Sequence, residues 1–146
     1  PLENYLQPNP ALNGMLARLP LPKAVLTNAD AGHASRVLER LGITRHFRQI
    51  VDIRALGYIN KPRPEAYQRA AELLSVAPAE CVLIDDLPHN LPPARALGMV
   101  TILVRPLDGA APPAGQSAGL LPAGVDYQTP DILGVERVLA GLIGQV

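Results

Sequence analysis

The stretch "CVLIDDLPHN", Cys81–Asn90, runs four apolar residues straight into two adjacent carboxylates, then a proline, a histidine and an amide. The first part reads as a buried strand and the second as the turn into a helix. Two carboxylates at the rim of an apolar core are costly when unpaired, and each opposes the ionisation of the other. Two arrangements relieve that cost. A hard divalent cation can sit on the pair, since magnesium takes a few carboxylates and completes its shell with water and phosphate oxygens. Alternatively, one aspartate caps the following helix and the other meets solvent. The metal is the preferred reading.

Working outward, the same kind of short apolar strand recurs. "KAVLTN" (23–28), "RQIVDI" (48–53), "VTILV" (100–104) and a short "VDYQT" (125–129) bracket it on both sides. Between them lie helical patterns. In "NPALNGMLARLP" (9–20), Asn9 can cap, Pro10 suits the first helical position, and Leu12, Met15, Leu16 and Leu19 mark one face. "GHASRVLERLGI" (32–43) carries Ala34, Val37, Leu38 and Leu41 on one stripe and stops at Gly42. A third helix runs from Pro64 to about Leu74, with Ala66, Ala70, Leu73 and Leu74 inward. A fourth starts near Asn90, tolerates Pro92 and Pro93 only in its first turn and ends at Gly98. The last spans Pro130 to Leu142, with Ile132, Val135, Val138, Leu139 and Leu142 inward.

Strands alternating with helices imply right-handed crossovers and a parallel sheet covered on both faces. The continuous apolar strands agree. The expected fold is therefore a three-layer α/β/α, Rossmann-like domain spanning residues 1–146, with a Pro/Gly/Ala-rich surface loop over 106–124. Ligands of such sheets gather beyond the carboxyl ends of the strands.

Composition narrows the function classes. Thirteen basic and thirteen acidic residues give no net charge, and no basic stripe points to nucleic acid or to an anionic membrane. Aromatics make up 3% of the chain, so its core is aliphatic. Cys81 is the sole cysteine and reads as a small buried apolar residue. No apolar run approaches the ~20 residues that span a bilayer, and "PLENYLQPNP" lacks the regions of a signal peptide, so the cytoplasm is the expected compartment. Neither G-x-G-x-x-G after a strand nor G-x-x-x-x-G-K-[ST] is present.

Three polar stations fall at strand ends. Thr27 and Asn28, with the N–H groups leading into the next helix, can bind a phosphate oxygen or simply cap that helix. Lys61, before Pro62, is held extended, so its ammonium can be aimed; its other reading is a solvated surface lysine. Asp85 and Asp86 are the third station. A receiver domain uses a similar set, but its acidic pair comes first along the chain and here it comes last.

That order of hydroxyl, lysine and acidic pair resembles the haloacid-dehalogenase-like hydrolase superfamily. "LTNADAGHASRVLERLGI", "NKPRPEAY" and "CVLIDDLPHNLPPARALGM" are similar to its pyrimidine 5′-nucleotidase-like branch. The resemblance implies a magnesium-dependent phosphomonoester hydrolase acting on a small phosphorylated metabolite, a nucleotide monophosphate among the candidates. It gives Thr27 and Asn28 the transferring phosphoryl group, Lys61 the charge on nucleophile and phosphoryl oxygens, and Asp86 direct magnesium ligation. Asp85 becomes a ligand or its supporting partner, and Asn90 a supporting residue. His33 lies one helical turn past the phosphate loop and reads as an ordinary helix-face histidine.

Members of that family open with an Asp-x-Asp strand, whose first aspartate attacks phosphorus and binds magnesium. This chain has no Asp-x-Asp and begins at Pro1. In the family's sheet that strand lies between the Thr27 and Asp85 strands. The expectation is a fragment lacking its nucleophile strand and cap and inactive by itself, or a chain completed by a partner strand or by self-association. The alternative is a catalytically dead phosphate- or metal-binding module of the same fold.

Overall fold

The computed structural model describes residues 2–106 and 121–144. The chain divides into two compact units, Pro1–Val76 and Ala77–Val146. Most of the loop expected over 106–124 lies outside the described residues.

In the first unit, helix α1 (Pro10–Arg18) begins where Asn9 Oδ1 accepts the Leu12 N–H at 3.0 Å. Pro10 costs nothing there, because the first-turn N–H it lacks has no partner in any helix. Leu12, Met15, Leu16 and Leu19 are buried, as their spacing predicts. Lys23 Nζ donates to the carbonyls of Leu19 and Leu21 at 2.7 and 2.9 Å, tying down the turn into strand β1 (Ala24–Leu26). Helix α2 (Ala31–Leu41) stops at Gly42, whose φ of 75° suits a residue without a side chain. Strand β2 (Gln49–Val51) pairs in parallel with β1, from Ala24 opposite Gln49 to Leu26 opposite Val51. Helix α3 (Pro64–Leu73) sets Ala66 and Ala70 into a core with Val51 and Leu56.

The buried stripe of α3 differs from the expected one. Tyr67 and Ala71 are buried beside Ala66 and Ala70, while Leu73 and Leu74 are only half-buried. The three alanines occupy little space, and Tyr67 supplies the volume that they do not.

Asp52, just past β2, fixes the far end of this unit. Its Oδ2 accepts the Ala31 N–H at 3.0 Å, at the start of α2, and its Oδ1 accepts the Ala55 N–H at 2.9 Å. Asp30 Oδ1 takes the next open donor of α2, the His33 N–H, at 2.9 Å. Two carboxylates thus fill the electropositive helix start. The Ala55 N–H at Asp52 and the His33 N–H at Asp30 hold both carboxyls below the usual carboxylate range.

In the second unit, strands β3 (Val82–Asp85), β4 (Val100–Val104) and β5 (Tyr127–Thr129) form a parallel ladder in that order. Helix α4 (Leu91–Ala96) follows a 3-10 turn at Pro88–Asn90 and carries Pro92 and Pro93 in its first turn, where a helix tolerates them. Helix α5 (Val135–Ile143) starts later than expected. A 3-10 turn at Ile132–Gly134 precedes it, and Asp131 Oδ1 accepts the Gly134 N–H at 3.0 Å. Leu91, Leu103 and Val125 form a core against the half-buried Leu83.

Two expectations are corrected here. β3 is not covered on both faces: Val82 and Ile84 are each 37% exposed, while the alternate residues Leu83 and Asp85 turn inward. β3 is the outer strand of its ladder, and α4 packs on the inward face alone. Cys81 is half-buried rather than buried; its Sγ lies 3.5 Å from the Ala77 carbonyl oxygen, and burial pushes the thiol pKa up.

Gly124 joins the end of the loop to α4. Its φ is 75°, and a Cβ there would collide with Pro92 Cα and lie 2.8 Å from Pro92 Cβ. Gly124→Ala is therefore expected to destabilise the chain by about 2–4 kcal/mol in denaturant unfolding, from left-handed strain plus overpacking. A loss below about 0.5 kcal/mol would show that Pro92 yields freely. The depressed carboxyls give a second expectation. A group with a lowered folded pKa stabilises above the unfolded value, near 3.9, and loses that contribution as pH falls through the folded one. Asp52→Asn should shrink the drop in unfolding midpoint between about pH 7 and about pH 3. An unchanged drop contradicts this role for Asp52.

Candidate functional site

In the first unit, β1 ends by handing its ladder to Thr27, whose N–H donates to the Val51 carbonyl at 3.0 Å. The chain then turns sharply. Thr27 Oγ1 accepts the Ala29 N–H at 3.0 Å, which fixes the hydroxyl oxygen and leaves its proton to be donated elsewhere. Asn28 is exposed and reaches across 33 residues of sequence to Lys61. Its Oδ1 accepts the Lys61 N–H at 2.9 Å, and its Nδ2 donates to the Lys61 carbonyl at 3.2 Å. Lys61 is half-buried, and the Lys61–Pro62 peptide is cis. Thr27, Asn28 and Lys61 therefore gather at the carboxyl end of β1, bringing together two stations that the sequence set at separate strand ends.

The helix donors of the first station are a different matter. The expectation left the N–H groups entering α2 open to a phosphate oxygen. The Ala31 and His33 N–H groups already donate to Asp52 and Asp30. Asp52 was not picked out from the sequence, although "RQIVDI" ends its apolar run in a carboxylate much as "CVLIDD" does. His33 lies half-buried in the first turn of α2.

In the second unit, the two aspartates part company. Asp85 is buried at 9% exposure. Its Oδ1 accepts the Leu87 N–H at 2.9 Å, and its Oδ2 accepts from Asn90 Nδ2 at 3.1 Å. Asn90, 2% exposed, is thereby locked against the acid five residues earlier. Asp86 is exposed. This is the arrangement of the second reading: Asp85 organises the turn, and Asp86 faces water.

The donor chemistry of Asp85, Asp86 and Asn90 fits a hard cation, since every atom offered is a carboxylate or amide oxygen. Among the described residues, no group of three or more His, Cys, Asp or Glu could hold a metal. The one exposed carboxylate, Asp86, suits an ion that keeps much of its water, as magnesium does, and not one enclosed in an all-protein cage.

Comparison with known proteins gives the family. The family model for haloacid dehalogenase-like hydrolases matches residues 4–98. Bifunctional epoxide hydrolase 2 of Rattus norvegicus is 43% identical over 63 residues, 43% of this chain and 11% of that protein. Fructose-1-phosphate phosphatase YqaB of Escherichia coli is 31% identical over 84 residues, 58% of this chain and 44% of that protein. Among solved structures, L-2-haloacid dehalogenase from Xanthobacter autotrophicus, with chloropropionic acid covalently bound, shares the fold. It has a TM-score of 0.75 and 23% identity, and the match covers 96% of this chain and 64% of that one. The chain thus spans well under two thirds of these curated relatives. With the α/β order, the strand-end residues and a family match over most of its length, this chain belongs to the haloacid dehalogenase-like hydrolases.

Proposed function

We propose that the chain carries the phosphate- and magnesium-handling residues of a phosphomonoester hydrolase. The observation that carries this reading is the acidic pair closing β3, one carboxylate buried as a brace and the next presented to solvent. Two adjacent acids with that division of labour suit a cation that bridges protein and phosphate oxygens. The E. coli relative named for a sugar-phosphate phosphatase supports the same reaction class.

In this reading Asp86 ligates magnesium, while Asp85 and Asn90 hold the turn that presents it. Thr27 donates its hydroxyl proton to a phosphoryl oxygen, the acceptor side of that hydroxyl being held by Ala29. The Lys61 ammonium offsets charge on the phosphoryl group as it transfers. Bound magnesium supplies charge neutralisation at the phosphate oxygens. The family reaction passes the phosphoryl group to an aspartate and then to water. No Asp-x-Asp lies in these 146 residues, so the chain alone is read as binding without turning over. The substrate is a small phosphorylated metabolite, and the similarity to the nucleotidase-like branch makes a nucleotide monophosphate the first to try. No helix among the described residues is long and apolar enough to cross a membrane, and the cytoplasm is the proposed compartment.

Isothermal titration of the 146-residue chain with magnesium should show one site. Asp86→Asn should weaken it by at least about tenfold, since even residues that merely support a metal ligand cost that much. A chain that binds no magnesium, or an Asp86→Asn variant that binds it equally well, contradicts the assignment. A p-nitrophenyl phosphate assay should give no magnesium-dependent release above blank. Turnover there would overturn the inactivity of the isolated chain while leaving the reaction class intact.

A further inference from the structure

Asn28 has so far carried the role that the resemblance gives it, contact with the transferring phosphoryl group. The hydrogen bonds point elsewhere. We propose that Asn28 is a positioning residue, whose side chain acts on phosphate only through Lys61. This rests on the phosphate-handling reading above.

The argument starts from where the two residues lie. β1 and β2 end at Leu26 and Val51, and one more rung follows, from the Thr27 N–H to the Val51 carbonyl. The Ile53 N–H then donates to the Ala29 carbonyl at 3.1 Å, which still joins the two segments. Nothing in the ladder itself fixes the segment carrying Lys61, which lies in a loop after Tyr58 and before α3. Asn28 spans that gap. Its amide oxygen and nitrogen meet the N–H and carbonyl of one residue, Lys61, at 2.9 and 3.2 Å. A side-chain amide thus does what a neighbouring strand's peptide group would do, offering a donor and an acceptor side by side.

The bonds hold the lysine where its side chain leaves the main chain. Lysine's ammonium rides on four flexible carbons, so it can be aimed only if its root is fixed. Pro62 restricts Lys61 from one side, and the Arg63 N–H to Asn60 carbonyl bond, 3.0 Å, closes the turn around it. Asn28 adds a tie to the loop that carries Thr27. Thr27 and Lys61 are thereby held in register by one amide.

A double-mutant cycle on inorganic phosphate affinity separates positioning from contact, using the whole 146-residue chain with Asn28→Ala, Lys61→Ala and both together. Amide hydrogen exchange at Lys61 and Thr27 is followed in each. The expected result is a roughly fivefold to tenfold loss of phosphate affinity in Asn28→Ala and no further loss when Lys61→Ala is already present. Lys61 N–H protection should fall while Thr27 N–H protection, which depends on Val51, is kept. Asn28→Ser, too short to reach both groups of Lys61, should repeat the result and guards against a folding defect peculiar to alanine. An equal loss in the Lys61→Ala background means direct contact with phosphate and overturns the inference while sparing the phosphate reading. Lost Lys61 protection with unchanged phosphate affinity also overturns it, leaving only a structural tie. A wild-type chain that binds no phosphate removes the functional reading on which the inference rests.

Discussion

A carboxylate held at the end of a buried strand has to find donors, and both units are arranged around that requirement. Asp52 finds the Ala31 and Ala55 N–H groups; Asp85 finds the Leu87 N–H and the Asn90 amide. Each acid sits where a strand gives out and the backbone ahead has N–H groups without ladder partners. The cost of burying the charge is offset by donors that need an acceptor in any case. The consequence is a stiff turn at each strand end, on which an exposed residue can be displayed with little freedom. Asp86 is the residue so displayed in the second unit.

That constraint accounts for the difference between adjacent aspartates. Were both exposed, their mutual repulsion would be screened and neither would be well placed. Were both buried, the turn lacks the donors to satisfy them. One in and one out fixes the geometry without requiring a second buried charge. A hard cation then meets a single presented carboxylate on a braced support, the arrangement expected of an ion that keeps its water and shares itself with a phosphate.

Much of this was legible in the sequence because its signals are local. Asn9 followed by Pro10, Gly42 after a periodic stripe, and short apolar runs ending in polar residues each carry their meaning within a few positions. They located the five strands and five α-helices found among the described residues, and they put Thr27, Lys61 and the acidic pair near strand ends. What escaped depends on partners far along the chain. The Asn28 amide looked like a ligand because nothing near it in sequence shows that Lys61 lies 33 residues away and within reach. Asp52 looked like an ordinary strand-end acid for the same reason. Tyr67 and Ala71 are buried on α3 although the periodic reading did not mark them, while Leu73 and Leu74 pack on the core only half-buried. Val82 and Ile84 read as buried from their hydropathy, whereas exposure is decided by whether an element covers that face.

The central claim is that the exposed acid beside a braced one receives a divalent cation. Manganese, which takes the oxygen ligands that magnesium takes, broadens amide resonances near it, so a 15N-labelled chain titrated with it reports the position directly. The account predicts that broadening starts at the amides of residues 85–90, is reversed by excess magnesium and disappears in Asp86→Asn. Broadening that begins elsewhere, or that survives the loss of the Asp86 charge unchanged, would contradict it.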